Sequence, residues 1–237
     1  MRLIDSLKKS FFPAQCLGCG QWGSYLCSRC LNFLPVCPER ICPVCQQPSL
    51  TGLTHPGCQK PRSLDGLTSV FAYQGIVKKA IIKLKYSFVK DLAQTILELF
   101  LSFIGEDKAF SRLILKEKII LTTIPLYWQR KNWRGFNQAE LLGKMIADNL
   151  GIDFASNLLI RVKKTKPQTF LSQKQRLKNV RRAFNINQTN QMFKKYSLAL
   201  IFDDVWTTGA TIKEGAKVLK TNGFKKVWAL TLARQKR

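Results

Sequence analysis

Apolar positions follow two rhythms along most of this chain. Residues 67–73, 119–124, 198–202 and 227–233 are short, nearly continuous apolar runs, the pattern of strands covered on both faces of a parallel sheet. Between them the apolar residues recur at helical spacing. Leu92, Ile96, Leu99 and Phe103 share one face of a helix over 92–104, and Ala139, Leu142, Ile146 and Leu150 share one over 138–150, with Gly151 as its stop. Ile212, Ala216 and Leu219 mark a third helix ending near Gly223, and a short one is predicted over 77–85. Strands separated by helices predict an α/β fold with a mostly parallel sheet and helices on both faces. Ligands of such sheets gather beyond the carboxyl ends of the strands.

The run 198–202 leads into Asp203-Asp204-Val205-Trp206-Thr207-Thr208-Gly209-Ala210-Thr211. It reads as a strand ending in two carboxylates, then a hydroxyl- and glycine-bearing loop, then a helix. Residues Thr207 to Thr211 aim main-chain N–H groups, hydroxyls and a helix N-terminus at one point, an arrangement that attracts phosphate. A Walker B strand is the competing reading of the two acids, but the chain has no G-x-x-x-x-G-K-[ST] to accompany it. Helix capping by a Thr accounts for one or two of these polar residues and not for the whole set.

The composition of residues 1–62 sets them apart. Cys16-x-x-Cys19, Cys27-x-x-Cys30, Cys42-x-x-Cys45 and His55-x-x-Cys58 are four pairs at the spacing that lets one tight turn offer two donors to a metal ion. Four pairs imply two sites. Sequential grouping places Cys16, Cys19, Cys27 and Cys30 around one ion and Cys42, Cys45, His55 and Cys58 around the other; the spacing also permits crossed grouping. Cys37 is left over as a free thiol. So short a segment buries little apolar surface, so structural Zn²⁺ is expected to supply its folding energy. Two domains follow: 1–62, metal-stabilised, and 63–237, the α/β body.

At 237 residues and 46% hydrophobic content the chain suffices for one sizeable core plus this appendage. It has no uncharged apolar run of about 18 residues, so no membrane span is expected. Met1 to Leu7 lack the apolar core and cleavage site of a secretory signal, and cytoplasmic residence is expected. Net charge is +25, and residues 154–202 contain no Asp or Glu among many Lys and Arg. Such a stretch seeks polyanions, from a diphosphate to single-stranded DNA. Segment 163–172, continuing to Arg176, Asn179 and Phe184, reads as a mobile loop able to close over a charged ligand.

The Asp-Asp-x-x-Thr-Thr-Gly-x-Thr word after an apolar strand resembles the 5-phosphoribosyl diphosphate (PRPP) loop of the type I phosphoribosyltransferases. The order of cysteine pairs, Lys85-Tyr86, Arg134-Gly135-Phe136-Asn137-Gln138, Gln168 to Asn179 and then this loop is similar to the ComF family of bacteria over nearly the whole chain. The resemblance implies a double zinc ribbon preceding a type I phosphoribosyltransferase-like domain, linked in some bacteria to uptake of single-stranded DNA in natural transformation. It implies that Asp203 and Asp204 hold the ribose hydroxyls and that Thr207, Thr208, Gly209, Ala210 and Thr211 wrap the 5-phosphate. PRPP then carries Mg²⁺ on its diphosphate, which Arg134 and Lys85 neutralise as it leaves. Partners implied are PRPP or a related phosphorylated ribose, single-stranded DNA and proteins of the competence machinery. The alternative is a non-catalytic PRPP or nucleotide sensor, or a DNA-handling factor on which Trp128, Trp133 and Phe170 stack bases. The sequence departs from the family in His55, where a further cysteine is usual, and in Trp206, where a smaller apolar residue is usual.

Overall fold

The computed structural model describes residues 14–37, 39–86, 89–127, 136–165, 171–187, 193 and 195–235. Within them the chain forms α1 (Ser28–Leu31), a 3₁₀ turn (Pro56–Cys58), β1 (Gly66–Ala72), α2 (Gly75–Tyr86), α3 (Lys90–Gly105), α4 (Lys108–Lys116) and β2 (Ile119–Thr123). There follow α5 (Gln138–Leu150), β3 (Asp153–Phe154), β4 (Leu159–Arg161), α6 (Gln173–Val180), β5 (Phe184–Ile186), β6 (Leu198–Trp206), α7 (Ala210–Thr221) and β7 (Lys226–Arg234).

Five strands pair in the order β1-β7-β6-β2-β3, every pair parallel. The two-residue period of the pleat sorts their side chains into two cores. Leu198, Leu200 and Phe202 join α2, α3, α4 and α5 on one face, while Ala199 and Ile201 join α7 and the antiparallel β4–β5 pair on the other. Phe100 of α3 meets Phe202 edge-on, with centroids 6.3 Å apart. The mostly parallel sheet with helices on both faces is therefore as expected from the apolar runs.

This order creates the crevice. After β2 the chain crosses through α5 on one face to β3, and after β6 it crosses through α7 on the opposite face to β7. The two connections leave the carboxyl ends of adjacent strands in opposite directions, and ligands of open α/β sheets occupy the gap between them. Asn137 starts α5 by accepting from the Ala139 N–H at 3.1 Å, and Gly151, at φ 63°, ends it.

The cysteine-bearing segment lies along the outer edge of β1. Cys37 N–H donates to Val70 O at 2.8 Å, Ala72 N–H to Pro35 O at 2.6 Å, and Leu67 N–H to Gly52 O at 2.9 Å. These bonds cover an edge strand that otherwise invites pairing with another chain. Leu17, Tyr25 and Leu34 pack onto one core and Ile41 enters the other.

Three expectations are corrected. β6 does not stop at Phe202 but runs through both carboxylates to Trp206, because β7 continues to pair with it at Asp203↔Thr231, Val205↔Ala233 and Trp206↔Arg234. Residues 173–180 are a helix rather than loop, since Ser172 and Gln175 form a reciprocal capping box at its start. Phe184 is a buried strand residue. The apolar pattern also passed over α4, whose start is fixed by Asp107 accepting from the N–H groups of Ala109 and Phe110.

Candidate functional site

The eight metal-ligand candidates gather as two quartets, Cys16–Cys19–Cys27–Cys30 and Cys42–Cys45–His55–Cys58, with donor atoms in each quartet within 4.8 Å of one another. The grouping is sequential, not crossed. In each quartet a tight turn brings the first Cys-x-x-Cys pair together: Gly20 N–H returns to Cys16 O at 2.9 Å, and Gln46 N–H to Cys42 O at 2.8 Å. Gly20 and Gln46 hold these turns at φ 80° and 64°.

The dimensions fit zinc. A tetrahedral ion with Zn–S bonds of about 2.3 Å holds its sulfurs about 3.8 Å apart, and Cys16 Sγ and Cys19 Sγ each lie 3.7 Å from Cys27 Sγ. In the second quartet Cys45 Sγ is 3.4 Å from His55 Nδ1. His55 Nε2 sits 3.0 Å from Pro48 O, so the proton belongs on Nε2 and the Nδ1 lone pair faces the thiols.

The thiols also oppose one another in charge. Burial raises Cys16, yet N–H groups of Cys27, Cys19 and Gly18 outweigh it and bring the thiol down to about 6. Burial and the neighbouring Cys27 and Cys16 push Cys30 up to about 12. Burial likewise raises Cys42, but N–H groups of Cys45, His55 and Val44 win, leaving it at about 7; the bond to Cys45, then burial, drives Cys58 up to about 11. Sulfurs this close resist carrying negative charge together, and a divalent cation removes that conflict. Cys37 stands apart, donating to Phe71 O at 3.0 Å.

At the carboxyl ends of the strands lies an open cleft of about 600 Å³. Asp203, Asp204, Thr207, Gly209, Ala210, Thr211 and Lys85 line it together. Thr208 does not: it is buried, and its hydroxyl accepts from the Ala210 N–H at 3.3 Å. Arg134, like Trp128, Trp133 and Phe170, lies outside the described residues.

The two carboxylates differ in environment. Asp204 is 6% exposed, and its Oδ2 takes both Lys85 Nζ at 2.9 Å and Gln138 Nε2 at 3.2 Å. Burial lowers Lys85, but the Asp204 carboxylate outweighs it and the ammonium is held above its ordinary range. Asp203 Oδ1 accepts from the Asp204 N–H at 2.9 Å. Burial, reinforced by the Asp204 charge, pushes Asp203 up to about 7. Burial also raises Tyr73, which lines the same cleft.

Gly209 makes the sharp entry to α7. Its φ of 70° suits glycine, and a Cβ there would fall 2.2 Å from the ring of Trp206, which is 1% exposed beneath the loop. The large residue at 206 thus forms the floor on which the loop rests. Sequence reasoning did not assign Tyr73 or Arg161 to the cleft, and it named Gln138 only as the last residue of the 124–138 loop expected at the diphosphate end. Gln138 had a signal in its place at the helix entry after β2. Arg161 donates to Pro125 O at 3.3 Å and to the Thr165 hydroxyl, and stacks over Phe184 at 5.3 Å.

The fold and site define an open parallel α/β protein with a carboxylate-bearing crevice and a front end built to ligate metal. Comparison with known proteins narrows this class. The chain is 33% identical over 221 residues to DNA utilization protein YhgH of Shigella flexneri, covering 90% of this chain and 92% of that protein. It is 31% identical over 226 residues to Competence protein F of Haemophilus influenzae, covering 89% and 97%. It is 26% identical over 205 residues to Competence protein ComFC of Bacillus subtilis, covering 84% and 79%. The chain belongs to the ComF family of competence and DNA-utilization proteins. No protein-family model matches it. Among solved structures, adenine phosphoribosyltransferase from Leishmania tarentolae aligns at a TM-score of 0.30 and 16% identity, over 70% of this chain and 76% of that one, too distant a likeness to carry weight. Among the described residues no helix is long and apolar enough to cross a membrane.

Proposed function

We propose that the cleft binds PRPP or a related phosphorylated ribose with Mg²⁺, and that the protein transfers or releases its phosphoribosyl or diphosphate group in the course of DNA uptake. The observation that carries this reading is adjacency: the consecutive carboxylates of Asp203 and Asp204 and the glycine-turned entry to α7 line one cleft. Asp203 and Asp204 accept from the ribose hydroxyls. The hydroxyls of Thr207 and Thr211 and the first main-chain N–H groups of α7 take the 5-phosphate, with Thr208 shaping the turn. Lys85, which lines the cleft, neutralises the diphosphate as it leaves, a role the sequence resemblance also gives Arg134, and Mg²⁺ shares that charge.

Loss of diphosphate leaves oxocarbenium character at C1, so the chain contributes positioning and charge rather than a covalent step. His55, the only histidine, belongs to a metal quartet and is not a general base here. Both quartets hold structural Zn²⁺ in this reading. The context of DNA uptake rests on the names of the relatives, and proteins of the competence machinery are the partners it implies.

A second reading, a PRPP-gated or non-catalytic factor that handles single-stranded DNA, is favoured by the acid-free segment 154–202 within a chain of net charge +25. Calorimetric titration with PRPP and Mg²⁺ tests the first. Saturable binding by the wild type, lost in Asp203→Asn with Asp204→Asn while the melting transition persists, is expected. Equal affinity in the double variant refutes the site.

A further inference from the structure

The Cys16–Cys19 and Cys42–Cys45 turns each present a main-chain carbonyl to a lysine, and the two lysines stand on two of the helices that line the cleft. Lys79 Nζ donates to Leu17 O, between Cys16 and Cys19, at 3.0 Å. Lys213 Nζ donates to Val44 O, between Cys42 and Cys45, at 3.4 Å. Lys79 belongs to α2, which also sends Lys78 and Lys85 into the cleft. Lys213 belongs to the first turn of α7: its N–H closes on Gly209 O at 2.8 Å, and its ammonium lies 5.6 Å from the ring centroid of Trp206, the floor of the loop.

Packing follows the same two lines. A Cβ on Gly18 would fall 2.5 Å from Ile76 at the start of α2. On the other side Arg234, paired in register with Trp206, donates to Glu39 O at 2.7 Å, and Ile41 shares a core with Trp206 and Ile212. The first cysteine turn therefore abuts the cationic wall and the second abuts the amide wall.

We propose that the two cysteine turns set the positions of these opposing walls, with Lys79 and Lys213 as positioning residues, so that metal occupancy at the front end controls ligand affinity in the cleft. The affinity part rests on the reading that the cleft takes a phosphorylated sugar. A metal ion fixes each turn, and with it the direction of the carbonyl that the lysine grips. Amides that must converge on a phosphate tolerate displacements of only a few tenths of an ångström. An α7 whose first turn is untethered from Val44 samples positions that do not converge. By linkage, ligand in the cleft also tightens the metal.

The test uses the full zinc-loaded chain and hydrogen–deuterium exchange, which needs no ligand. In Lys213→Met, amides of 207–212 are expected to exchange about tenfold faster than in the wild type, the effect of losing one hydrogen bond at a tethered turn. Zinc content stays unchanged, and Lys213→Arg, which still donates to Val44 O, restores the wild-type rate. Lys79→Met, read over 78–86, supplies the second arm should Lys213→Met fail to fold. Unchanged exchange in the folded variants overturns the proposal. Ribose 5-phosphate is then titrated into wild type and Lys213→Met, with about tenfold weaker binding expected in the variant. Silence of the wild type toward this probe removes the ligand reading, and the exchange result still decides the positioning role.

Discussion

Lys85 Nζ and Gln138 Nε2 converge on the same oxygen, Asp204 Oδ2, at 2.9 and 3.2 Å. The ion pair joins the end of α2 to the end of β6, and the amide adds the first residue of α5. Three elements that arrive at the cleft separately are thus fastened by one buried carboxylate.

Removing the cation alone leaves that carboxylate buried and poorly compensated. Lys85→Met is expected to cost about 3 kcal/mol, since breaking one side of a buried pair is far worse than lacking the pair altogether. Adding Asp204→Asn should return most of the loss. Urea unfolding of the two single variants and the double variant gives the coupling energy. Additive losses would show that the pair contributes nothing as a pair.

Asp203 carries a penalty of the opposite kind. Its carboxyl, ordinarily near 3.8, is held at about 7 in the fold. Between these values the unfolded chain has released a proton that the folded chain keeps, so stability falls as pH rises from about 4 to about 7 and levels off above. Asp203→Asn has no charge to lose. It is expected to melt higher than the wild type near pH 8, with the difference shrinking toward pH 4, as read by scanning calorimetry. A variant that melts lower across this range would show that burial does not oppress the carboxylate.

What was readable in the sequence, and what was not, divides by the range of the interaction responsible. The helix Gln138–Leu150 is legible to the residue because its apolar face and its Gly151 stop are local signals, to which the structure adds the Asn137 cap. The four-residue overrun of β6 was not legible: its charged residues look like a strand end, and only pairing with β7, a separate segment, extends it. β3, β4 and β5, of two or three residues each, are too short for any periodicity to appear. The cysteine pairs announced metal sites through spacing, but which pairs share an ion needed the fold. In the cleft, Asp203, Asp204 and the glycine turn were legible as one contiguous word. Tyr73 and the contact of Gln138 with Asp204 were not, because they depend on how β1, β2 and β6 line up.

Gly209 tests whether the loop shape is imposed or intrinsic. Gly209→Ala faces two separate obstacles, a left-handed backbone at φ 70° and a Trp206 ring 2.2 Å from the new methyl. About 2 kcal/mol of destabilisation is expected, as for a residue forced into a sparsely allowed conformation with a clash. Trp206→Leu in the same chain should recover only the steric share, since the backbone angle remains. Full recovery, measured by urea unfolding against Trp206→Leu alone, would show that the angle itself imposes no cost.

The second metal quartet turns on a histidine whose orientation is set from outside the quartet. With its Nε2 proton given to Pro48 O at 3.0 Å, His55 can offer only Nδ1 to an ion. Zinc measured by mass spectrometry of the native chain is therefore expected at two ions, falling to one in His55→Ala as a position in the tetrahedron empties. His55→Cys should keep two, because a thiolate donates from the shorter side chain and no longer needs the carbonyl to choose its tautomer. Cys19→Ser should lose the other ion and leave the His55 site filled, since the quartets are separate. A chain that loses both ions on either change would mean that the quartets fold as one unit, and the independence inferred from their grouping would fail.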